Sequence, residues 1–278
     1  MLWRWYVPGA GDPSKLSRRL LIGLWAASLA GLSGCGESGG VVETPVATTL
    51  PPAIPSQLSI ERLGAVRYAL RTDWFGATPA PDGKGYTFVT DLGYRVQLET
   101  AEASLGDVEL VPCQAARTWP AQLWQMLSPI GVANAAHSAV PDDTNADLQT
   151  VDDLMAGQTH TAGPTPASGA VYCQAHILFV PLADADGLGV SGGILGTFVP
   201  PEGGDPQRLS GRINIRNGGS VVLEGAPDEM VAGATVELIR YPAYALNGLE
   251  LEKLTSLELG FEFLTGLAKT SRTHVRVD

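Results

Sequence analysis

The chain is poor in the residues that most often announce a chemistry. Its 278 residues include three cysteines and four histidines, and only 7% are aromatic. No two cysteines stand in CxxC spacing, which excludes a zinc ribbon, a thioredoxin-type dithiol and a disulfide-dense scaffold. HExxH, a phosphate-cradling GxxxxGK[ST] loop and SxxK are all missing, so no residue is expected to be catalytic, and a hydrolase stays a second alternative only. Basic residues are scarce too: 18 Lys and Arg face 29 Asp and Glu, a net charge of −11. Such a surface repels phosphate backbones, which excludes nucleic acid as a partner.

What is present begins with a targeting segment. Lys15, Arg18 and Arg19 precede an apolar stretch from Leu20 to Leu32. It falls short of the roughly 20 residues that cross a bilayer as a helix. It has the length of the apolar region of an export signal and is set aside from the fold, as residues 1–34. The stretch ends in Leu32-Ser33-Gly34-Cys35, which resembles the lipobox of bacterial lipoproteins. That resemblance implies cleavage before Cys35, a lipid on its thiol and a membrane as partner. Gly36, where an aspartate would imply retention in the inner membrane, implies the outer membrane, facing the periplasm. Ser17-Arg18-Arg19-Leu20-Leu21-Ile22 also resembles the twin-arginine export motif.

Residues 35–57, rich in Gly, Pro, Thr and Ser, read as a tether averaging about 25 Å end to end. Residues 58–278 are long enough for one large β domain. The signal takes four basic residues and Asp12 with it, so the remainder carries 14 basic and 28 acidic residues, a net −14. Cys113 and Cys173 are the cysteines left after Cys35. In an oxidising envelope they are expected to form one disulfide, with a pair of thiolate metal ligands as the alternative.

Period-two alternation dominates the domain. It predicts strands at Arg95–Glu99, Asp107–Leu110, Arg212–Arg216 and Leu257–Phe263, the last with every odd position apolar. Further strands are expected at Leu58–Leu63, Tyr86–Thr90, Val171–Val180, Ser220–Glu224 and Thr235–Tyr241. Pro81–Gly85 and Asn217-Gly218-Gly219 have hairpin-turn chemistry. Pro120–Leu127 is the best helix candidate, and Ser128–Pro166 and Gly187–Pro206 read as long irregular loops. One-sided alternation points to antiparallel pairing, hence a mainly β antiparallel sandwich with at most one or two short helices.

Neutral imidazole is the commonest metal ligand. His137 and His160 fall in the first long loop, and His176 lies on the strand face opposite Cys173. These three are the candidate ligands of a copper or zinc ion. Asp143-Thr144-Asn145-Ala146-Asp147 and Asp184-Ala185-Asp186-Gly187 carry part of a calcium-loop pattern, and Asp143 and Asp147 are the candidate oxygen ligands. Neither cluster has a complete loop: Leu148 and Leu154 stand where glycine and glutamate are needed in the first.

The strand Gly93–Leu98 leading into Gly106–Leu110, together with Gly169–Ala175, resembles secreted β-sandwich lipoproteins of Gram-negative bacteria, some of them thought to bind metal. The resemblance covers about half of the mature chain and lacks that group's repeated cysteines. It implies an envelope binding module, non-catalytic, holding a metal cation in its loops. The alternative is a structural or protein-interaction lipoprotein with no small ligand and a protein partner of unknown identity.

Overall fold

Most segments that alternate do form strands. In the computed structural model, which describes residues 49–113, 144–167, 169–183 and 189–277, the chain runs β1 (Leu58–Thr72), β2 (Thr78–Pro79), β3 (Tyr86–Val89) and β4 (Arg95–Pro112). After residue 143 come β5 (Ala146–Asp153), β6 (His160–Pro166), β7 (Val171–Phe179) and β8 (Leu182–Ala183). Then follow β9 (Gly189–Val190), β10 (Gly192–Val199), β11 (Gln207–Ile213), β12 (Asn217–Val222) and β13 (Met230–Arg240). A helix, α1 (Ser256–Thr270), and β14 (Arg272–Val277) close the chain. The signal segment, Cys35 and the Pro120–Leu127 helix candidate lie outside the described residues.

The mainly β class holds, and the hydrogen bonding gives it a particular form. Twelve strands join in one mixed sheet, with β8 and β9 as a separate pair. The two longest strands change partners along their length. β4 pairs with β3 and then β5 on one side, and with β10 and then β7 on the other. β1 meets β7 at Leu58–Ser59 and β6 at Ala65–Leu70, with β13 along its other edge. A strand that serves two sets of neighbours forces the sheet to curl, and the Val275 amide donates to the Glu224 carbonyl at 3.0 Å, tying β14 to the end of β12. The β1–β13 pair is parallel, a departure from the all-antiparallel expectation. These strands lie far apart in sequence, and no hairpin dictates their direction.

The inward positions of the curl form the core. Val96 and Leu98 face inward as their alternation requires, beside Tyr68, Phe179 and Leu110. The two alternating runs either side of Gly106 belong to one strand. At the start of β7 the register slips: Gln174 faces Val111, but Tyr172 faces Pro112. Cys173 is the extra residue of this bulge, so Tyr172 turns into the core with Ala175 and Ile177, not outward with His176. The Cys113–Cys173 disulfide is formed beside this bulge, with the Cα atoms 4.9 Å apart.

The strongest-looking strand is a helix. Leu257–Phe263 alternates, but Thr255 and Glu258 form a capping box that starts α1 at Ser256. From there Gly260, Phe263, Leu264 and Leu267 recur at i, i+3, i+4 and i+7 and are buried, whereas Leu257 is 59% exposed. Helical burial outweighs a period-two pattern only seven residues long. Gly260 and Gly211 let α1 lie directly on β11, since a Cβ on Gly260 would meet Arg212 backbone at 2.9 Å. Both long irregular segments also contain strands: β5 and β6 in the first, β9 and β10 in the second. Asn217–Gly219 begins β12 against β7 and is not a hairpin turn. Arg212–Arg216 leaves its strand after Ile213.

Candidate functional site

Two regions concentrate polar side chains, and they differ in what those side chains touch. The first is internal. Arg240 ends β13 on the inward face and has no exposed surface. Its Nη2 donates to Asp152 Oδ2, and the other Asp152 oxygen takes His160 Nε2 at 2.8 Å. β13, β5 and β6 thus supply a cation, an anion and an imidazole to one buried cluster. Burial pushes the Arg240 guanidinium down and the Asp152 carboxylate opposes it, with a net lowering. Arg240 Nη1 and the hydroxyl of Thr72, its register partner on β1, have no hydrogen-bond partner among the described residues. Nearby Trp74 stacks on Tyr86 at 4.3 Å and donates from its indole to the Leu154 carbonyl.

This arrangement absorbs one of the metal-ligand candidates. His160 is bonded to Asp152, while His176 lies on β7 with its Nδ1 3.5 Å from Glu109 of β4. His160 and His176 are therefore engaged with different carboxylates. His137 and Asp143 lie outside the described residues, as does Asp184–Gly187. Asp147 is exposed on β5 opposite Asp107. Thr144, three residues before it, is buried, with its hydroxyl taking the Leu110 amide. Among the described residues no three His, Cys, Asp or Glu side chains stand together as a metal site.

One motif escaped the sequence reading. Gly189-Val190-Ser191-Gly192-Gly193 matches the Gly-x-Ser-x-Gly pattern of hydrolase nucleophile elbows. Here Ser191 sits between two strands, fully buried, and its hydroxyl donates to the Ile215 carbonyl at 2.6 Å. A nucleophile elbow instead exposes the serine at a strand-to-helix turn. Ser191 is a packing residue.

The second region is an open groove of about 590 Å³ on the outer face of β2, β3, β4 and β10. Register builds it. Thr78 pairs with Thr87, Thr87 with Gln97, Gln97 with Thr197, and Thr197 with Arg208 on β11. In-register partners on adjacent strands face the same side. At about 4.8 Å per strand, the row spans roughly 19 Å. A parallel row places Arg95 between Val89 and Val199. The turn after β2, with Gly83 and Gly85 both at positive φ, brings Asp82 to the rim, where its Oδ2 takes Gln97 Nε2 at 3.2 Å. The Lys84 amide and Gln97 hold the Asp82 carboxyl below the usual aspartate range, against the opposing effect of its partial desolvation.

The electrostatics of the groove differ from those of the rest of the chain. Among the described residues Arg95 is its one charged lining residue, and the nearest carboxylate the structure ties to it is Asp82 at the rim, bonded to Gln97. Arg95 and Arg208 are exposed and form no ion pair among the described residues. Among the described residues no histidine or cysteine lines the groove. What it offers is the Thr197 hydroxyl, the Thr78 and Thr87 hydroxyls, which bond each other at 3.0 Å, the Gln97 amide held by Asp82, and the Arg95 guanidinium. A further cavity of about 460 Å³ beside α1 has mixed charge, and its Arg272 is already engaged by Glu224 at 3.6 Å and by the Pro51 carbonyl.

No family model matches the chain, and no curated protein or solved structure is significantly similar to it.

Proposed function

We propose that this chain is a non-catalytic binding module of the cell envelope, held to a membrane by lipid on Cys35, with its ligand seated in the groove over β3, β4 and β10. The observation that carries the reading is Arg95: a guanidinium lining the groove with no ion-pair partner among the described residues, on a chain with 29 carboxylates, of which Asp82 stands at the rim bonded to Gln97. The signal segment and lipobox support the anchor, and the groove supports binding without chemistry. The histidines support a metal less well, because His160 is bonded within the fold. Two experiments test the reading. Cys35→Ala moves the protein from the membrane to the soluble fraction and abolishes labelling by a radioactive fatty acid. On an array of envelope glycans and peptides, at least one ligand retains the full-length chain and loses it when Thr197→Trp fills the groove. Retention of Cys35→Ala in the membrane contradicts the anchor, and the absence of any ligand sensitive to Thr197→Trp contradicts the groove.

A second reading, an interaction lipoprotein without a small ligand, is favoured by Leu63. This residue is 92% exposed and holds a left-handed φ of 75° in the bulge of β1. Such a backbone costs about 1–2 kcal/mol for a non-glycine residue, and no burial of the side chain offsets it. Met230 and Val171, which flank Ser59 on the adjacent strands, are 61% and 40% exposed. That reading requires cross-links to an envelope protein in intact cells that disappear in Leu63→Asp with Met230→Asp.

A further inference from the structure

Resting on the groove reading above, we propose that the ligand is an oligosaccharide carrying carboxylate groups. Arg95 holds a carboxylate, and the Thr78–Thr87–Gln97–Thr197 row holds ring hydroxyls.

The Thr87–Gln97–Thr197 row lies on the face of the sheet, where β3, β4 and β10 are hydrogen-bonded to one another, so a ligand lying across it is held by side chains and not by strand addition. Recognition falls to side chains. A threonine hydroxyl donates one hydrogen bond and accepts others, and a glutamine amide does both. A row of such groups is matched by a ligand whose own groups also both donate and accept, as sugar hydroxyls do. The row crosses the strands, so its members recur at the strand spacing, about 4.8 Å. That step is comparable to the advance per ring along an extended chain of pyranose rings. Val89, Val199 and Pro206 stand along the other side and offer apolar contact to the carbon face of a ring.

Charge narrows the class. Arg95 presents five donors in a fork that matches a carboxylate, and a guanidinium left without an acidic neighbour attracts one from outside. The chain's net −11 opposes an anionic ligand at long range. Screening confines that opposition to within about 8 Å at physiological ionic strength, and of the residues lining the groove the one that is charged is Arg95, with Asp82 at the rim tied to Gln97. Nucleic acid is disfavoured because no aromatic side chain projects from these rows for a base to stack on.

The test is calorimetric titration of the full-length chain in detergent with tetragalacturonate, cellotetraose and a tetraglutamate peptide, for wild type and Arg95→Gln. Arg95 is exposed and without an ion-pair partner, so the variant keeps the fold, which circular dichroism checks. The expected result is binding of tetragalacturonate, weaker binding of cellotetraose, and a loss of about tenfold or more for tetragalacturonate alone in Arg95→Gln. Equal binding of both sugars, unaffected by Arg95→Gln, overturns the carboxylate assignment. If Thr197→Trp still blocks that binding, the groove reading stands. Tighter, Arg95-dependent binding of tetraglutamate overturns the glycan in favour of an acidic peptide and likewise leaves the groove. Tetragalacturonate binding insensitive to Thr197→Trp overturns both readings. No binding of tetragalacturonate overturns this inference, while the array decides separately whether the groove binds anything.

Discussion

Arg240 and Arg95 lie on the same sheet and are treated in opposite ways. Arg240 ends β13 on the inner face, wholly buried, with Asp152 against it and His160 on the far carboxylate oxygen. Arg95 begins β4 on the outer face, exposed, between two valines and with no acidic partner among the described residues. A charge taken out of water has to be matched inside the fold, because leaving it unmatched costs several kcal/mol. A charge left in water needs no match, and one kept clear of the chain's many carboxylates remains open to a ligand. The inner cluster therefore belongs to stability, and the outer one is where we propose a ligand binds.

The comparison is broken most severely at Asp152. Asp152→Ala strands the Arg240 guanidinium in the core, and urea unfolding is expected to show a loss of about 3–5 kcal/mol. Replacing both partners, Arg240→Met with Asp152→Leu, removes the charges together and costs less than Asp152→Ala alone, although His160 loses its acceptor. A double variant as unstable as the single one would show that packing, not the unmatched charge, is responsible.

A smaller effect sharpens the contrast at Glu237, on the outward face of β13. Burial raises its carboxyl, but hydrogen bonds from Arg71 at 2.7 Å and Arg276 at 2.5 Å outweigh this and hold it below the ordinary glutamate value. A carboxyl depressed in the folded state adds stability that is complete above its unfolded value and is lost as pH falls through the folded one. Unfolding free energies measured from about pH 6 down to about pH 3 should fall with this group's titration, and Glu237→Gln should flatten that part of the slope. An unchanged slope in Glu237→Gln would show that other carboxylates govern acid unfolding. At the helix start, Thr255→Ala removes the capping hydroxyl and is expected to cost about 1 kcal/mol in the same assay.

The strands were legible because burial on one face writes itself into alternation, and β3, β4, β7 and β13 all carry that mark. The helix was misread because Leu257, Leu259, Phe261 and Phe263 mimic a strand over seven residues. The corrective signal, threonine followed three residues later by glutamate before an apolar run, was present at Thr255 and Glu258. β5 and β10 were missed for different reasons. β5 is polar on both faces apart from a few positions, and β10 has three glycines, Gly192, Gly193 and Gly196, where side chains would show the period. The groove was invisible because Thr78, Thr87, Gln97 and Thr197 meet only through strand register. Histidines were singled out by residue type, but the structure gives His160 a carboxylate partner inside the fold. The expected Cys113–Cys173 disulfide is present.

The most direct test of the contrast is the urea-unfolding free energy of Arg95→Gln measured beside that of Asp152→Ala. If Arg95 is held for a ligand, its variant stays within about 0.5 kcal/mol of wild type, while Asp152→Ala falls by several kcal/mol. A loss in Arg95→Gln as large as that in Asp152→Ala would make Arg95 a structural residue and contradict the account.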